Sequence, residues 1–357
     1  MFSLVRAELR GMEGKGAILD GETWRRLEEE LMSTVRDPEM LKRLREHPEV
    51  RQRDCGDGIT AYNFTRRAFA KGLWDETTVK ARGLFMRGES ILGRGYDKFF
   101  DAGAEQGYTL DDLKDDFGSY LFLSRKYNGY LGILFYDEQA GRLRVFTKGG
   151  NTGEHARRAE EMVLGSIRRN GNEQEVKRGL SGAVDVPLSA TFEIILAEDP
   201  HVIDEGEPKA VLLDLIRNDT GKPLPKLTAR QVAERMSLGI PMGEHDIITS
   251  AEDFEAHWQA RTEEWKRTEG MVVCDGRGRM VKAKTDYYRL AKQMRNELRR
   301  VLHGKPLKGT QTPAQQALLA YPEVLDAVRD GAYTFVNLIG EKDVNMVQVL
   351  ADYPELA

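Results

Sequence analysis

The chain has 357 residues, 40% of them hydrophobic, which suffices for one large core or two unequal ones and argues against disorder. Its 53 basic and 58 acidic side chains leave a net charge of −5, so no global excess of positive charge marks a polyanion binder and any nucleic-acid surface has to be local. Cys55 and Cys274 lie outside any CxxC or Cys/His spacing, no run approaches the roughly 20 apolar residues that span a bilayer, and MFSLVRAELRGMEG lacks an apolar signal core; these features imply a reduced, cytoplasmic protein without structural zinc or membrane partner.

Residues 23–50 carry helical spacing and dense charge interrupted at Pro38, which predicts one or two solvated helices. From Val79 to Phe146 the texture is antiparallel sheet: VKARGLFMRGESILGRG reads as two short runs around RGES, and YLGILFYDEQAGRLRVFT as a hairpin. GEHARRAEEMVLGSIRRN reads as a helix, ATFEIILAED and AVLLDLI as buried strands, and AEDFEAHWQARTEEWKR as another helix. EGMVVCDGRGRMVKAK is a second hairpin with Gly276 and Gly278 at its tip. After Thr285 the strand signals stop, and YYRLAKQMRNELRRVLHGK places Leu290, Met294, Leu298 and Val301 on one face and Arg289, Lys292, Arg295 and Arg299 on another. The pattern is α+β, with a boundary near 285 that separates residues 1–284 from a small helical unit at 285–357.

Two KxxG stretches occur, KARG at Lys80 to Gly83 and KYNG at Lys126 to Gly129, and a match this short does not choose between them. Further along, Lys148 closes RVFTK, Glu193 sits within TFEII, Glu269 opens EGMVV, and Lys282 and Lys284 alternate along VKAKT. Period-two alternation points Lys282 and Lys284 to one side of their strand. Unpaired charge buried in apolar strands costs several kcal/mol, on the order of ion transfer from water, so these residues need a reason. A polyphosphate with a divalent cation supplies one; solvent-facing ion pairs, or lysines guarding a sheet edge, are the plainer reading of each residue alone.

Taken in order, KYNG, TFEII, EGMVV and VKAKT resemble the motif series of the covalent nucleotidyltransferases, the superfamily of ATP-dependent ligases and mRNA capping enzymes. Upstream, KARGLFMRGESILGRGYDKFFDAG resembles the segment that precedes the nucleophile in phage-type RNA ligases and in the ligase domain of fungal tRNA ligases, with Asp101 where that family usually has Asn. The likeness runs from about Tyr62 to Lys284 and does not extend convincingly into the tail.

The resemblance implies a nucleotidyltransferase fold of antiparallel sheets with flanking helices, and it selects Lys126 as the nucleophile while leaving Lys80 a strand charge. It further implies a nucleotide site of Arg82, Lys98, Phe100, Gly129, Lys148, Glu193, Glu269, Lys282 and Lys284, with Glu193 and Glu269 reaching Mg2+ or Mn2+ through water. The implied activity joins RNA 3′-OH and 5′-phosphate ends with ATP, through lysyl-AMP and RNA-adenylate, in RNA or tRNA repair or splicing. Attack near neutral pH requires the Lys126 ammonium to be disfavoured, and Lys282, Lys284, the metal and partial burial are expected to push its pKa down. No GxxxxGK[ST] loop occurs in the sequence, so end healing, where needed, is expected from a separate kinase/phosphatase. The competing readings are a DNA ligase or GTP-using capping enzyme, and a nonenzymatic RNA-binding protein on a ligase fold. The basic helix face after 285 is expected either to hold RNA phosphates or to be a solvated face on a helix packed through Leu290, Met294 and Leu298.

Overall fold

The computed structural model describes residues 38–115, 120–182 and 186–357. The expected helical segment at 23–50 lies partly outside these residues; its described part holds the helix Pro38–Glu46, which starts at the proline, but its last residue, Val50, opens a strand instead.

The strands in chain order are β1 (Val50–Asp54), β2 (Ile59–Phe64), β3 (Arg82–Arg87), β4 (Ser90–Arg94), β5 (Phe100–Asp101), β6 (Leu121–Lys126), β7 (Tyr130–Asp137) and β8 (Arg142–Thr147). They continue as β9 (Leu188–Ile195), β10 (Lys209–Arg217), β11 (His245–Ile248), β12 (Gly270–Asp275), β13 (Met280–Lys284), β14 (Thr334–Val336) and β15 (Lys342–Val344). Three sheets carry the body of the fold, in the orders β1-β2-β3-β4, β10-β9-β7-β8 and β11-β6-β12-β13-β5. All pairings are antiparallel except β13 with β5, as expected for an α+β chain built of hairpins.

The first two sheets pack through the rings of Phe85, Phe135 and Phe146, whose centroids lie 5.0 to 5.5 Å apart. A side chain at Gly93 would meet the Phe135 ring at 2.4 Å, so glycine there lets β4 approach β7. The helices Glu154–Arg169 and Glu173–Gly182 cover the other face of the second sheet, burying Val163, Ile167, Val176 and Leu180 against Phe192 and Ile194. The third sheet is backed by Phe254, on the helix Ala251–Glu264, and by Trp265, which follows it.

Beyond Thr285 the chain is mainly helical, with helices Asp286–Leu302, Pro313–Ala320, Pro322–Arg329 and Met346–Asp352 around Met294, Leu298 and Val301. The expectation that strands stop there is wrong in one respect: β14 and β15 form a two-stranded ribbon. Lys80 is likewise no strand charge. It ends the helix Glu76–Lys80, whose start is fixed by a capping box between Asp75 and Thr78.

Candidate active site

Strand register builds the site. Gly270 on β12 stands opposite Lys126 on β6 and, on its other side, opposite Lys284 on β13, so one rung of the sheet crosses Lys126, Gly270 and Lys284. The rung two residues along carries Ser124, Val272, Lys282 and Asp101. Because side chains repeat every second residue, Lys126, Lys282 and Lys284 share a face. All three line a cavity of about 320 Å³, together with Arg82 from the first sheet and Glu193 from the second. That volume is within the range of small-molecule sites.

Lys126 Nζ lies 2.8 Å from Glu269 Oε1, and the other oxygen of Glu269 accepts from Asn128 Nδ2 at 2.8 Å. Asn128 in turn takes the backbone N–H groups of Val202 and Ile203 on its Oδ1 and donates its own N–H to Glu205, whose second oxygen holds Arg125. The turn after Lys126 is thereby fixed by a buried network. Gly129 donates to Glu193 at 2.8 Å, and a side chain there would meet the Ile194 carbonyl oxygen at 2.2 Å, so only glycine fits. Gly270, at φ 137°, sits as tightly, 2.0 Å from the Ala283 oxygen by the same measure.

Of the other sequence candidates, Lys98 and Lys148 line the cavity, and Arg82 lines it while donating to the Tyr96 carbonyl at 3.2 Å. Phe100 does not line it. It supports Lys98, whose amine stands 3.7 Å from its ring centre, while Phe99 faces the cavity. Asp101 lies between Lys282 and Lys284, at 3.8 and 3.3 Å.

Charge is crowded. Burial, then Lys282 and Arg82, bring the Lys98 pKa down to about 7, and burial followed by Lys284 brings Lys282 to about 8. Burial pushes Glu193 up to about 7 against the pull of Lys126. Lys126 runs opposite to expectation. Burial lowers its pKa, but the carboxylates of Glu269 and then Glu193 outweigh burial and raise it above the ordinary lysine value.

Sequence reasoning missed several neighbours. Tyr288 and Lys292 reach the cavity from the helix Asp286–Leu302, each four residues beyond the last pocket group, Lys284 and Tyr288 respectively. Tyr288 faces Glu269, and burial with that carboxylate raises its phenol pKa. Arg295 and Arg299, assigned to the same basic stripe as Lys292, instead hold the buried Asp343 at 2.8 and 3.2 Å. A second, open groove of about 810 Å³ beside Gly243 and Glu244 mixes Arg230 and Arg261 with Glu234 and brings no set of reactive groups together.

A sequence model of the RNA ligase family matches residues 80–288. The chain belongs to the RNA ligase family. No curated protein matches the ligase in sequence. Among solved structures, a protein titled a putative ATP-dependent DNA ligase from Aquifex aeolicus matches at 15% identity and TM-score 0.48, over 90% of this ligase and 76% of that chain. An archaeal ATP-dependent RNA ligase matches at 17% identity and TM-score 0.47, over 78% and 68%. A Naegleria gruberi RNA ligase with pyrophosphate matches at 16% identity and TM-score 0.37, over 50% and 53%.

Proposed function

We propose that the protein joins RNA 3′-OH and 5′-phosphate ends at the expense of ATP, with Lys126 as the nucleophile. The observation that carries this reading is the rung Lys126–Gly270–Lys284 beside Glu269 and above Lys282, inside the segment that matches the RNA ligase family. The Lys126 amine attacks the α-phosphorus of ATP; the N–P bond forms as the P–O bond to pyrophosphate breaks, leaving lysyl-AMP. The AMP passes to the RNA 5′-phosphate, and the RNA 3′-OH then displaces it. Lys282 and Lys284 stand along the face where charge develops on the α- and departing phosphates, and Arg82, Lys98 and Lys148 add positive charge to the same cavity.

Glu193 and Glu269 are the carboxylates that would hold a divalent cation. Among the described residues no three acidic, histidine or cysteine side chains gather into a metal cage. Two carboxylates fit Mg2+ or Mn2+ that keeps several waters and shares the nucleotide's phosphates. When bound, such a cation offsets phosphate charge and weakens the carboxylates' hold on the Lys126 proton.

Residues 285–357 are proposed as a distinct small unit, although its first helix supplies Tyr288 and Lys292 to the cavity. RNA or tRNA repair or splicing, a cytoplasmic location and a separate end-healing kinase/phosphatase are parts of the same proposal; no described helix is long and apolar enough to cross a membrane. The test is to follow a 5′-labelled, 5′-phosphorylated oligoribonucleotide with ATP and magnesium. Joined RNA and a transient RNA-adenylate are expected. Joining of DNA ends only, or label transfer from GTP in place of ATP, would move the protein to another branch of nucleotidyl transfer.

A further inference from the structure

The chemistry at Lys126 leaves an aromatic cluster at the cavity rim unused. Phe64, at the end of β2, and Phe69, on the short helix Arg66–Lys71, stack with centroids 6.2 Å apart and planes 13° apart. Trp74 meets them edge-on at 4.9 and 6.4 Å. Both phenylalanines border the cavity, yet Phe69 is 64% exposed. A ring locked by two neighbours and open to water on its remaining side is an exposed apolar surface that the fold does not need. The helix that carries it is fixed at both ends, by the Thr65 side chain on the Ala68 N–H and by Gly72 at φ 65°.

Charge surrounds the cluster on both sides. Inward, Lys148 stands 5.3 Å from the Phe64 ring and Lys98 5.0 Å from the Trp74 ring. Outward, Arg66 and Lys71 are exposed on the helix itself. Flat rings interleaved with cations beside a phosphate-binding cavity are what an unpaired nucleic-acid strand requires. The lysines attract its terminal phosphate inward, the outer cations follow its backbone, and the open ring takes a base. An adenine enclosed in the cavity would not need a ring facing solvent.

We propose that Phe69 is a stacking platform for the base next to the 5′-phosphate of the RNA end being joined, with Arg66 and Lys71 beside the following phosphates. This rests on the RNA ligase reading. The test compares wild type, Phe69→Ala, Phe69→Tyr and Arg66→Gln/Lys71→Gln, using a short 5′-phosphorylated oligoribonucleotide whose first base is 2-aminopurine. Wild type and Phe69→Tyr are expected to quench its fluorescence and Phe69→Ala to leave it unquenched. Phe69→Ala should also take label from ATP on lysine as wild type does, while its KM for RNA rises roughly tenfold at similar kcat. The double variant should bind the RNA with a shallower salt dependence. Unchanged quenching and KM in Phe69→Ala would overturn the platform. So would loss of the lysine label, which would place Phe69 in the nucleotide site, or a change in sedimentation with unchanged KM, which would make a second copy the occupant. If wild type takes no label at all, the ligase reading fails, and the quenching comparison still decides the platform.

Discussion

At Lys126 two opposing effects meet, and the outcome sets the pH behaviour of the site. Burial favours the neutral amine, but Glu269 at 2.8 Å and Glu193 hold the ammonium and raise its pKa. On the proposed mechanism the neutral Lys126 amine would be scarce until a cation occupied the carboxylates, so labelling of Lys126 should depend steeply on divalent metal. Lys98 and Lys282, at about 7 and about 8, are shifted the other way, so near pH 8 both are partly neutral in the free protein. A polyanion favours their charged forms. Binding of metal-free ATP near pH 8 should therefore take up protons, and affinity should fall as pH rises through and above this range. Calorimetry in buffers of different ionisation enthalpy measures the uptake; proton release, or no difference in Lys98→Ala, would refute the assignment of these pKa values. Lys282→Ala and Lys284→Ala should slow lysine labelling by about two to three orders of magnitude, by analogy with loss of one preorganised charge contact, with thermal melting unchanged. Normal labelling in both would leave them as structural charges paired with Asp101, on a strand that lies between β12 and β5 and not at a sheet edge.

Element by element, the site depends on how closely strands approach. Gly129→Ala puts a methyl group 2.2 Å from the Ile194 carbonyl oxygen, so β7 and β9 must separate; a loss of about 1–3 kcal/mol of stability and most of the labelling is expected. Asp137, at the end of β7, is fully buried and ties β3 to β8 through two bonds from Arg87, at 2.7 and 2.9 Å, and one from Arg144 at 2.7 Å. Asp137→Asn takes the carboxylate from Arg87, while Arg144 keeps Asp57 at 2.7 Å, and should cost about 3 kcal/mol in denaturant unfolding. The side-chain bonds from Arg87, working against burial, lower the Asp137 pKa. Its contribution is thus fully present above the unfolded value of about 4 and is lost only as pH falls through the lower folded value.

These elements also show what a sequence can disclose. The hairpins β7–β8 and β12–β13 and the shared face of Lys282 and Lys284 follow from period-two alternation and flanking turns. The helix Glu76–Lys80 was hidden because a local cap at Asp75 overrides the strand-like texture around it, and β14 and β15 are three residues each, too short for a pattern. Asn128, Glu205 and Tyr288 gained their places through contacts distant in sequence, to which no local signal points.

Across the whole molecule, the helix Asp286–Leu302 links the tail to the cavity, and its basic face divides into two roles. Lys292 borders the cavity, whereas Arg295 and Arg299 neutralise Asp343, which is 3% exposed. Arg295→Gln/Arg299→Gln should therefore lower stability by about 3 kcal/mol, as when a buried pair loses one side, with the salt dependence of RNA binding unaltered. Lys292→Gln should spare the fold and weaken ATP or RNA binding. The reverse distribution would make the stripe an RNA surface. The central claim is that Lys126, and no other lysine, carries the nucleotide. It is tested most directly by incubating wild type, Lys126→Ala and Lys80→Ala with α-labelled ATP or GTP and magnesium, followed by denaturing electrophoresis. ATP is expected to label wild type and Lys80→Ala far better than GTP does, and to leave Lys126→Ala blank; label that survives in Lys126→Ala would contradict the account.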